Sequence, residues 1–468
     1  MAGARWRPDA GQGPACRQQG QHPAAAGHHH RKQERAVKPT TSDAPVVTAD
    51  FRCTPAVFRH AEVLLAELLR SPYPADKVVA GYFRQHRQLG HAERGFVAEA
   101  AFAVLRQRRT LTARCGEDVT SRRLLLAWLA CGQGLNRRQL EPLLSESEQK
   151  WLATVKAVKV ADLPPAVRLD LPDWLFDALS DQYGDEETAT LASALNRPAP
   201  LDLRVNSLKT DRQTALARLT ADGWPAMPCA HSPLGIRLLG KPALSRHPLF
   251  LDGHLEVQDE GSQLLGFLLQ PKRGEMVADF CAGAGGKTLL LGALMRSQGR
   301  LYAFDVNEQR LARLKPRLAR SGLSNVTPVR IDSERDVKIR RLAGKLDRVL
   351  VDAPCSGLGT LRRNPDLKWR QTPDSVAELA VKQAAILAAA ANLLKSGGRL
   401  VYATCSLLQA ENEAIVDAFL AARPGFVVES AQEILAGQQI LVDCGDRLRL
   451  TPHRHGTDAF YAAVLTRQ

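Results

Sequence analysis

The stretch MVADFCAGAGGKTLLLGALM, residues 276–295, passes from a short apolar run through a glycine-rich turn into a second apolar run of helical length. A strand entering a helix across glycines is the opening unit of an α/β sheet, and the pattern recurs downstream. Candidate strands follow at Arg300 to Asp305, Val326 to Ile331, Leu346 to Asp352, Arg399 to Thr404 and Phe460 to Leu465, separated by helical periodicities. The expectation is a Rossmann-like domain, a doubly wound and mostly parallel sheet, over residues 256–468.

The turn itself restricts the ligand. A phosphate-binding loop needs GxxxxGK[ST]; Gly286-Lys287-Thr288 supplies its end, but its first position falls on Cys281. The dinucleotide fingerprint GxGxxG fails as well, because Gly283-Ala284-Gly285 is followed by Gly286, Lys287 and Thr288. The next strand ends at Asp305, 26 residues after Asp279, where a carboxylate can accept both ribose hydroxyls of a nucleoside. The third ends at Asp332 and the fourth at Asp352, so four acidic strand ends border one edge of the sheet. Hydroxyls and a cationic sulfonium suit such an edge. Asp352 leads into Ala353-Pro354-Cys355-Ser356-Gly357, and the fifth strand leads into Thr404-Cys405-Ser406. An isolated cysteine is usually a small buried hydrophobe, but two that follow neighbouring strands converge on one crevice.

Upstream of the sheet the chain changes character three times. Residues 1–50 carry no hydrophobic period and include His28-His29-His30; they read as a disordered leader, weakly similar to an organelle transit peptide and unlike a secretory signal. Residues 51–190 repeat apolar positions at three and four, as in Phe96, Ala100, Val104 and Leu105, and predict a domain of five to seven helices. Basic pairs at Arg108-Arg109, Arg122-Arg123 and Arg137-Arg138 fit either solvated helix faces or an RNA-binding bundle. Residues 191–255 predict a small α+β subdomain, with strands near 201–205 and 236–239 and a helix from Thr210 to Ala221 closed by Gly223.

The 468 residues carry 63 Lys and Arg against 49 Asp and Glu, a net charge of +14. Twelve basic and five acidic residues fall between Arg300 and Lys345, and a localised excess of this kind favours a polyanion. Hydrophobic residues at 45% supply a sizeable core, and no apolar run of about 18 residues suits a membrane helix. The nine cysteines lack zinc or disulfide spacing, so no metal site is expected and a reducing, cytoplasmic setting is. After Asp352, Arg362, Arg363, Lys368 and Arg370 surround Trp369, an arrangement suited to phosphate binding with base stacking, although an isolated tryptophan is more often core.

The segments DFCAGAGGKT (279–288), DAPCSGLGTLRRNPDLKW (352–369), VYATCS (401–406) with Glu411-Asn412-Glu413 following, and PHRHGTDAF (452–460) resemble the Sun/RsmB-type RNA cytosine-5 methyltransferases. LRVNSLK (203–209) and VQDEGSQL (257–264) resemble that family's flanking segments, so the likeness covers residues 196–468. It implies S-adenosyl-L-methionine as cofactor, RNA, in particular ribosomal RNA, as partner, and a cytoplasmic monomer. Carbon 5 of cytosine is a poor nucleophile until a thiolate adds to carbon 6. By resemblance Cys405 is that thiolate, Cys355 assists proton removal or product release, and Asp352 hydrogen-bonds the base. On the residues themselves Cys355, in a Pro-Cys pair, stays open as the alternative nucleophile. The resemblance also places Cys281, Ala282, Gly283, Ala284, Gly285, Gly286 and Lys287 around the methionine part of the cofactor, Asp305 on the ribose, Asp332 at the adenine and Asp352 near the methionine. A base must leave the helical stack to meet a thiolate, so the target is single-stranded, looped or flipped out. The competing classes are a catalytically inactive RNA-binding or ribosome-assembly protein and a P-loop-like nucleotide hydrolase.

Overall fold

The computed structural model describes residues 53–240 and 242–468. The expected leader, 1–50, lies outside them. Twelve strands are described: β1 Leu201–Val205, β2 Ala226–Pro228, β3 Gly235–Leu238, β4 Leu255–Val257, β5 Met276–Asp279, β6 Arg300–Asp305, β7 Val326–Arg330, β8 Leu346–Asp352, β9 Leu394–Thr404, β10 Phe426–Glu429, β11 Leu448–Leu450 and β12 Phe460–Arg467.

The large sheet has the order β10-β12-β9-β8-β5-β6-β7, with β11 added beside β12. The pairs β5–β6, β6–β7, β5–β8 and β8–β9 are parallel, whereas β12 lies antiparallel to β9 and to β10. The central strands are apolar on both faces because helices cover both, which gives continuous runs such as Val349, Leu350 and Val351, all fully buried. Chain order reverses at β5: the path first moves out through β6 to β7, then returns to β8 on the other side. The crevice beyond the carboxyl ends of β5 and β8 is therefore the topological switch point at which open α/β sheets bind ligands.

The small sheet, β2-β3-β1-β4, is antiparallel throughout. The helix Arg212–Ala221, capped by Asp211, covers one face through Ala215 and Leu219 against Leu203, Val205 and Ile236. The wholly buried helix Glu260–Leu269 links this sheet to the large one. Gln263 fastens the junction by donating to Leu203 O at 3.3 Å and Gln258 O at 2.9 Å.

Seven helices of seven residues or more lie between Pro55 and Tyr183. Those up to Ala157 enclose one core, with Leu64, Leu65, Val97, Val104, Leu125 and Trp128 at its centre. The helices Asp173–Tyr183 and Asp185–Leu195 pack elsewhere. Leu175, Leu179, Leu191 and Leu195 share a core with Leu358 and Leu361 after β8, Leu407 after β9 and Ala459 before β12. A change of core thus falls near Leu171: helical periodicity shows that a stretch has an apolar face but not which core receives it.

The basic cluster around Trp369 is likewise turned inward. Trp369 Nε1 donates to Leu105 O at 2.7 Å, and the buried Lys368 Nζ donates to Arg106 O and Asn196 Oδ1, each at 2.8 Å. Arg370 pairs with Asp366 at 3.2 Å. This segment joins the helical bundle to the sheet domain, and Trp369, partly buried against the bundle core, follows the core alternative. Arg109 and Arg122 are also engaged within the fold, with Asp173 at 2.6 Å and Glu148 at 2.7 Å.

Candidate active site

Asp279, Asp305 and Asp352 close β5, β6 and β8 at the same end of the sheet; Asp279 pairs with Ala303 and Leu350, so Asp305 and Asp352 reach two residues beyond it on either side. Asp305 accepts from Gly283 N–H at 2.8 Å through one oxygen and from Asn307 N–H at 2.7 Å through the other. The carboxylate at the end of β6 thereby organises the glycine loop after β5. Gly285, at φ +83°, cannot be replaced without strain, since a Cβ there would lie 2.1 Å from Leu314 Cδ1. The loop is also held from outside: Arg317 donates to Ala284 O at 2.6 Å while bound to the buried Glu256 of β4 at 2.8 Å.

Lys287 and Thr288, the two residues a phosphate-binding loop would direct at phosphate and metal, are used internally. Lys287 Nζ lies 2.7 Å from Asp352 Oδ2, and Thr288 Oγ1 donates to Asp279 Oδ2 at 2.7 Å. Burial opposes the charge on Lys287, but the attraction of Asp352 outweighs it and the ammonium is held above its ordinary range. Asp279 has no such cation in contact. Burial pushes its carboxyl up to about 7, and its Oδ1 has no hydrogen-bond partner. Burial likewise raises the Cys281 thiol, assisted by the charges of Asp279, Asp352 and Asp305. Asp332 stands apart: it lies two residues beyond β7, its side chain is 74% exposed, and Oδ1 pairs with Arg330 at 2.9 Å.

β8 and β9 are neighbours, with Asp352 opposite Ala403, so the turns that follow them meet. Cys355 Sγ and Cys405 Sγ are 3.4 Å apart. The Cys355 thiol is raised well above its ordinary range, first by its hydrogen bond with Cys405 and then by burial. Gly359 lets the two turns approach: its N–H donates to Cys405 O at 2.8 Å, and a Cβ there would sit 2.7 Å from that oxygen and 2.4 Å from Ala459 O. The site thus brings together Cys281, Lys287, Asp305, Asp352, Cys355 and Cys405.

Several supporting residues are not identifiable from sequence spacing. Arg363, grouped by sequence with the basic cluster, bridges Asp458 at 2.6 Å and Asp259 at 2.9 Å. Burial, then the charge of Asp259, pushes the Asp458 carboxyl up to about 6, against the pull of Arg363. Three of the segments noted above are thereby tied into one ion-pair cluster. Glu411, six residues after Cys405, is wholly buried beneath the cysteine turns. A carboxylate amid short polar residues is the signal that could have drawn attention to it. Among the described residues, the potential metal ligands Asp202, Cys229 and Glu260 lie together. Arg237 takes up the first through bonds of 2.7 and 2.9 Å, and Ser232 N–H binds Glu260 at 2.8 Å, so the grouping is a satisfied ion-pair cluster.

Comparison with known proteins agrees with this architecture. Residues 266–466 match the family model described as 16S rRNA methyltransferase RsmB/F, and residues 171–244 match the RsmF/B-like ferredoxin-like domain. The chain is 39% identical over 295 residues to a probable ribosomal RNA small subunit methyltransferase B of Synechocystis sp., covering 63% of this chain and 66% of that protein. It is 36% identical over 304 residues to the ribosomal RNA small subunit methyltransferase B of Vibrio cholerae, covering 65% of this chain and 67% of that one. The matched stretch therefore spans about two thirds of these relatives. Among solved structures, PH0851 superposes with a TM-score of 0.74 at 25% identity over 89% of this chain and all of that one. A methyltransferase homolog from Pyrococcus horikoshii does so at 0.57 and 30% identity, over 66% of this chain and all of its own. With the glycine loop, the acidic strand ends and the paired cysteines in one crevice, the chain belongs to the RsmB/F family of 16S rRNA methyltransferases.

Proposed function

We propose that this protein transfers a methyl group from S-adenosyl-L-methionine to carbon 5 of a cytosine in small-subunit ribosomal RNA, through a covalent cysteine adduct at carbon 6. The observation that carries the reading is the 3.4 Å separation of Cys355 and Cys405 at the switch-point crevice, next to the Lys287–Asp352 pair. A single buried thiol would be packing; two in contact at a ligand-binding strand edge supply a nucleophile and a proton carrier.

The donor set fits the cofactor. Asp305, which orders the glycine loop, would accept the vicinal hydroxyls, and Asp352 places a second carboxylate at the edge that suits the ammonium and sulfonium. The loop Cys281 to Lys287 would enclose the methionine part, Asp352 would lie near it and Asp332 would approach the adenine. When bound, the cofactor supplies an electrophilic methyl group. In this reading Cys405 adds as thiolate to carbon 6, which turns the ring into an enamine with a nucleophilic carbon 5. Asp352, with one oxygen engaged by Lys287, has the other to accept from the exocyclic amine. Once carbon 5 is methylated, its proton passes to water and the freed electron pair restores the 5,6 double bond as the carbon 6–sulfur bond breaks; the Cys405 thiolate returns, with the Cys355 thiol placed to hydrogen-bond the departing sulfur.

RNA as substrate is also supported by the net charge of +14. Engagement of Lys287 and Thr288 by carboxylates disfavours a nucleotide hydrolase. Two measurements test the reading. S-adenosylhomocysteine is expected to raise the melting temperature and ATP to leave it unchanged. Bisulfite sequencing of small-subunit rRNA from a deletion strain should lose one or more 5-methylcytosine signals present in wild type; an unchanged profile sinks the assignment.

A further inference from the structure

Glu411 is buried with no exposed surface, yet all four groups that donate to its carboxylate are neutral. Oε1 accepts from the Ser356 backbone N–H at 2.8 Å and from Gln383 Nε2 at 2.9 Å. Oε2 accepts from Ser356 Oγ at 2.5 Å and from Ser406 Oγ. A carboxylate removed from water is costly unless its lone pairs are filled, and here they are. The donors are not arbitrary: Ser356 follows Cys355 and Ser406 follows Cys405. Gln383 also donates to Pro354 O at 3.0 Å, so Cys355 is pinned on both sides.

We infer that Glu411 is a positioning residue for the two-cysteine chemistry: its carboxylate latches the turns after β8 and β9 together and sets the sulfur–sulfur distance at which Cys355 can share a proton with Cys405. The charge also distinguishes the two sulfurs. It lies behind Ser356 and adds to the groups that keep the Cys355 thiol protonated, after the Cys405 hydrogen bond and burial. The carboxylate thereby helps to keep Cys355 a thiol.

The inference rests on the proposed methyl transfer, and its test separates the two. Glu411→Gln keeps the shape and removes the charge. Expected are a single-turnover methylation rate lower by about tenfold or more, with cofactor affinity and KM for RNA within about twofold of wild type. Iodoacetamide labelling across pH, followed by mass spectrometry of each cysteine, should show the Cys355 profile moving to lower pH in Glu411→Gln, a change that loosened packing alone would not confine to one cysteine. Should Glu411→Gln fail to fold, Ser406→Ala and Ser356→Ala each remove one latch and retain the charge; each should lower the rate without raising KM. Wild-type rates and labelling profiles in the folded variants overturn the role of Glu411. Absence of 5-methylcytosine formation by the wild-type protein overturns the methyl-transfer reading instead, with the labelling comparison still deciding for or against Glu411.

Discussion

Cysteine chemistry depends on which sulfur is ionised, and the surroundings of Cys355 and Cys405 are unequal. Cys355 is held as a thiol by its partner and by burial. Cys405→Ser should therefore abolish methylation and leave no covalent RNA complex, because a hydroxyl is far less ionised than a thiol near neutral pH. Cys355→Ser should still form the adduct and release it slowly. Denaturing gel electrophoresis of each variant with RNA and S-adenosyl-L-methionine checks this, and an adduct seen only with Cys405→Ser would move the nucleophile to Cys355. Asp279 offers a test without substrate. Its carboxyl, pushed up to about 7 by burial, ionises near 3.8 in the unfolded chain. Between those values the native state keeps a proton that the unfolded state has lost, so stability falls as pH rises through that window, by up to about 1.4 kcal/mol per unit. Asp279→Asn removes this dependence. Its melting temperature relative to wild type should climb from pH 4.5 to 7.5 and then level off; a constant difference across pH would show that Asp279 titrates normally.

The elements that make the site are adjacent strands whose following turns are locked to each other by backbone bonds. Gly359 belongs to that lock, since its N–H binds Cys405 O and its carbonyl accepts from Ala459 N–H at 2.9 Å. Gly359→Ala should cost roughly 1–3 kcal/mol through overpacking and should separate the cysteine turns. Chemical denaturation would give the loss, and methylation should fall further than the loss of folded protein explains. Activity matching the folded fraction would mean that the turns absorb the methyl group without moving the sulfurs. Six strands of the large sheet, β5 to β9 and β12, are legible as apolar runs bounded by turns, β5 through the glycine loop and apolar helix that follow it, whereas β10 and β11 have no such flanking signal. At four and three residues they are too short to show alternation, and they exist because β12 presents an edge to pair with.

At the scale of the molecule, the basic excess is only partly a binding surface. Arg363, Lys368, Arg317 and Arg320 are spent on buried carboxylates, carbonyls and domain junctions. Arg310, Arg313, Lys315, Arg335, Lys338 and Arg340 remain exposed. RNA affinity should fall steeply between about 50 and 200 mM salt as released counterions lose their advantage. Reversing Arg310 and Arg313 to glutamate should flatten the slope of log affinity against log salt and leave S-adenosylhomocysteine binding unchanged. Filter binding over a salt series measures it, and an unaltered slope would exclude their helix, Glu308–Ser321, from the RNA contact. Among the described residues no helix is long and apolar enough to cross a membrane.

What is readable from the residue order is local: the strand–glycine–helix unit at 276–295, the acidic strand ends, and two cysteines that follow neighbouring strands. These follow from periodicity and from the backbone freedom of glycine, which neighbours in sequence suffice to establish. Burial and pairing are settled by residues far away in the chain. Trp369 and Lys368 look like an RNA platform until Leu105, Arg106 and Asn196 close over them. Arg363 stands in a basic cluster by sequence, but Asp259 and Asp458 reach it from either side, and Glu411, named by sequence only within the segment 411–413, is enclosed by two serines and a glutamine. The energy of a charged side chain is decided by its dielectric surroundings and its partners, and only the assembled fold supplies both.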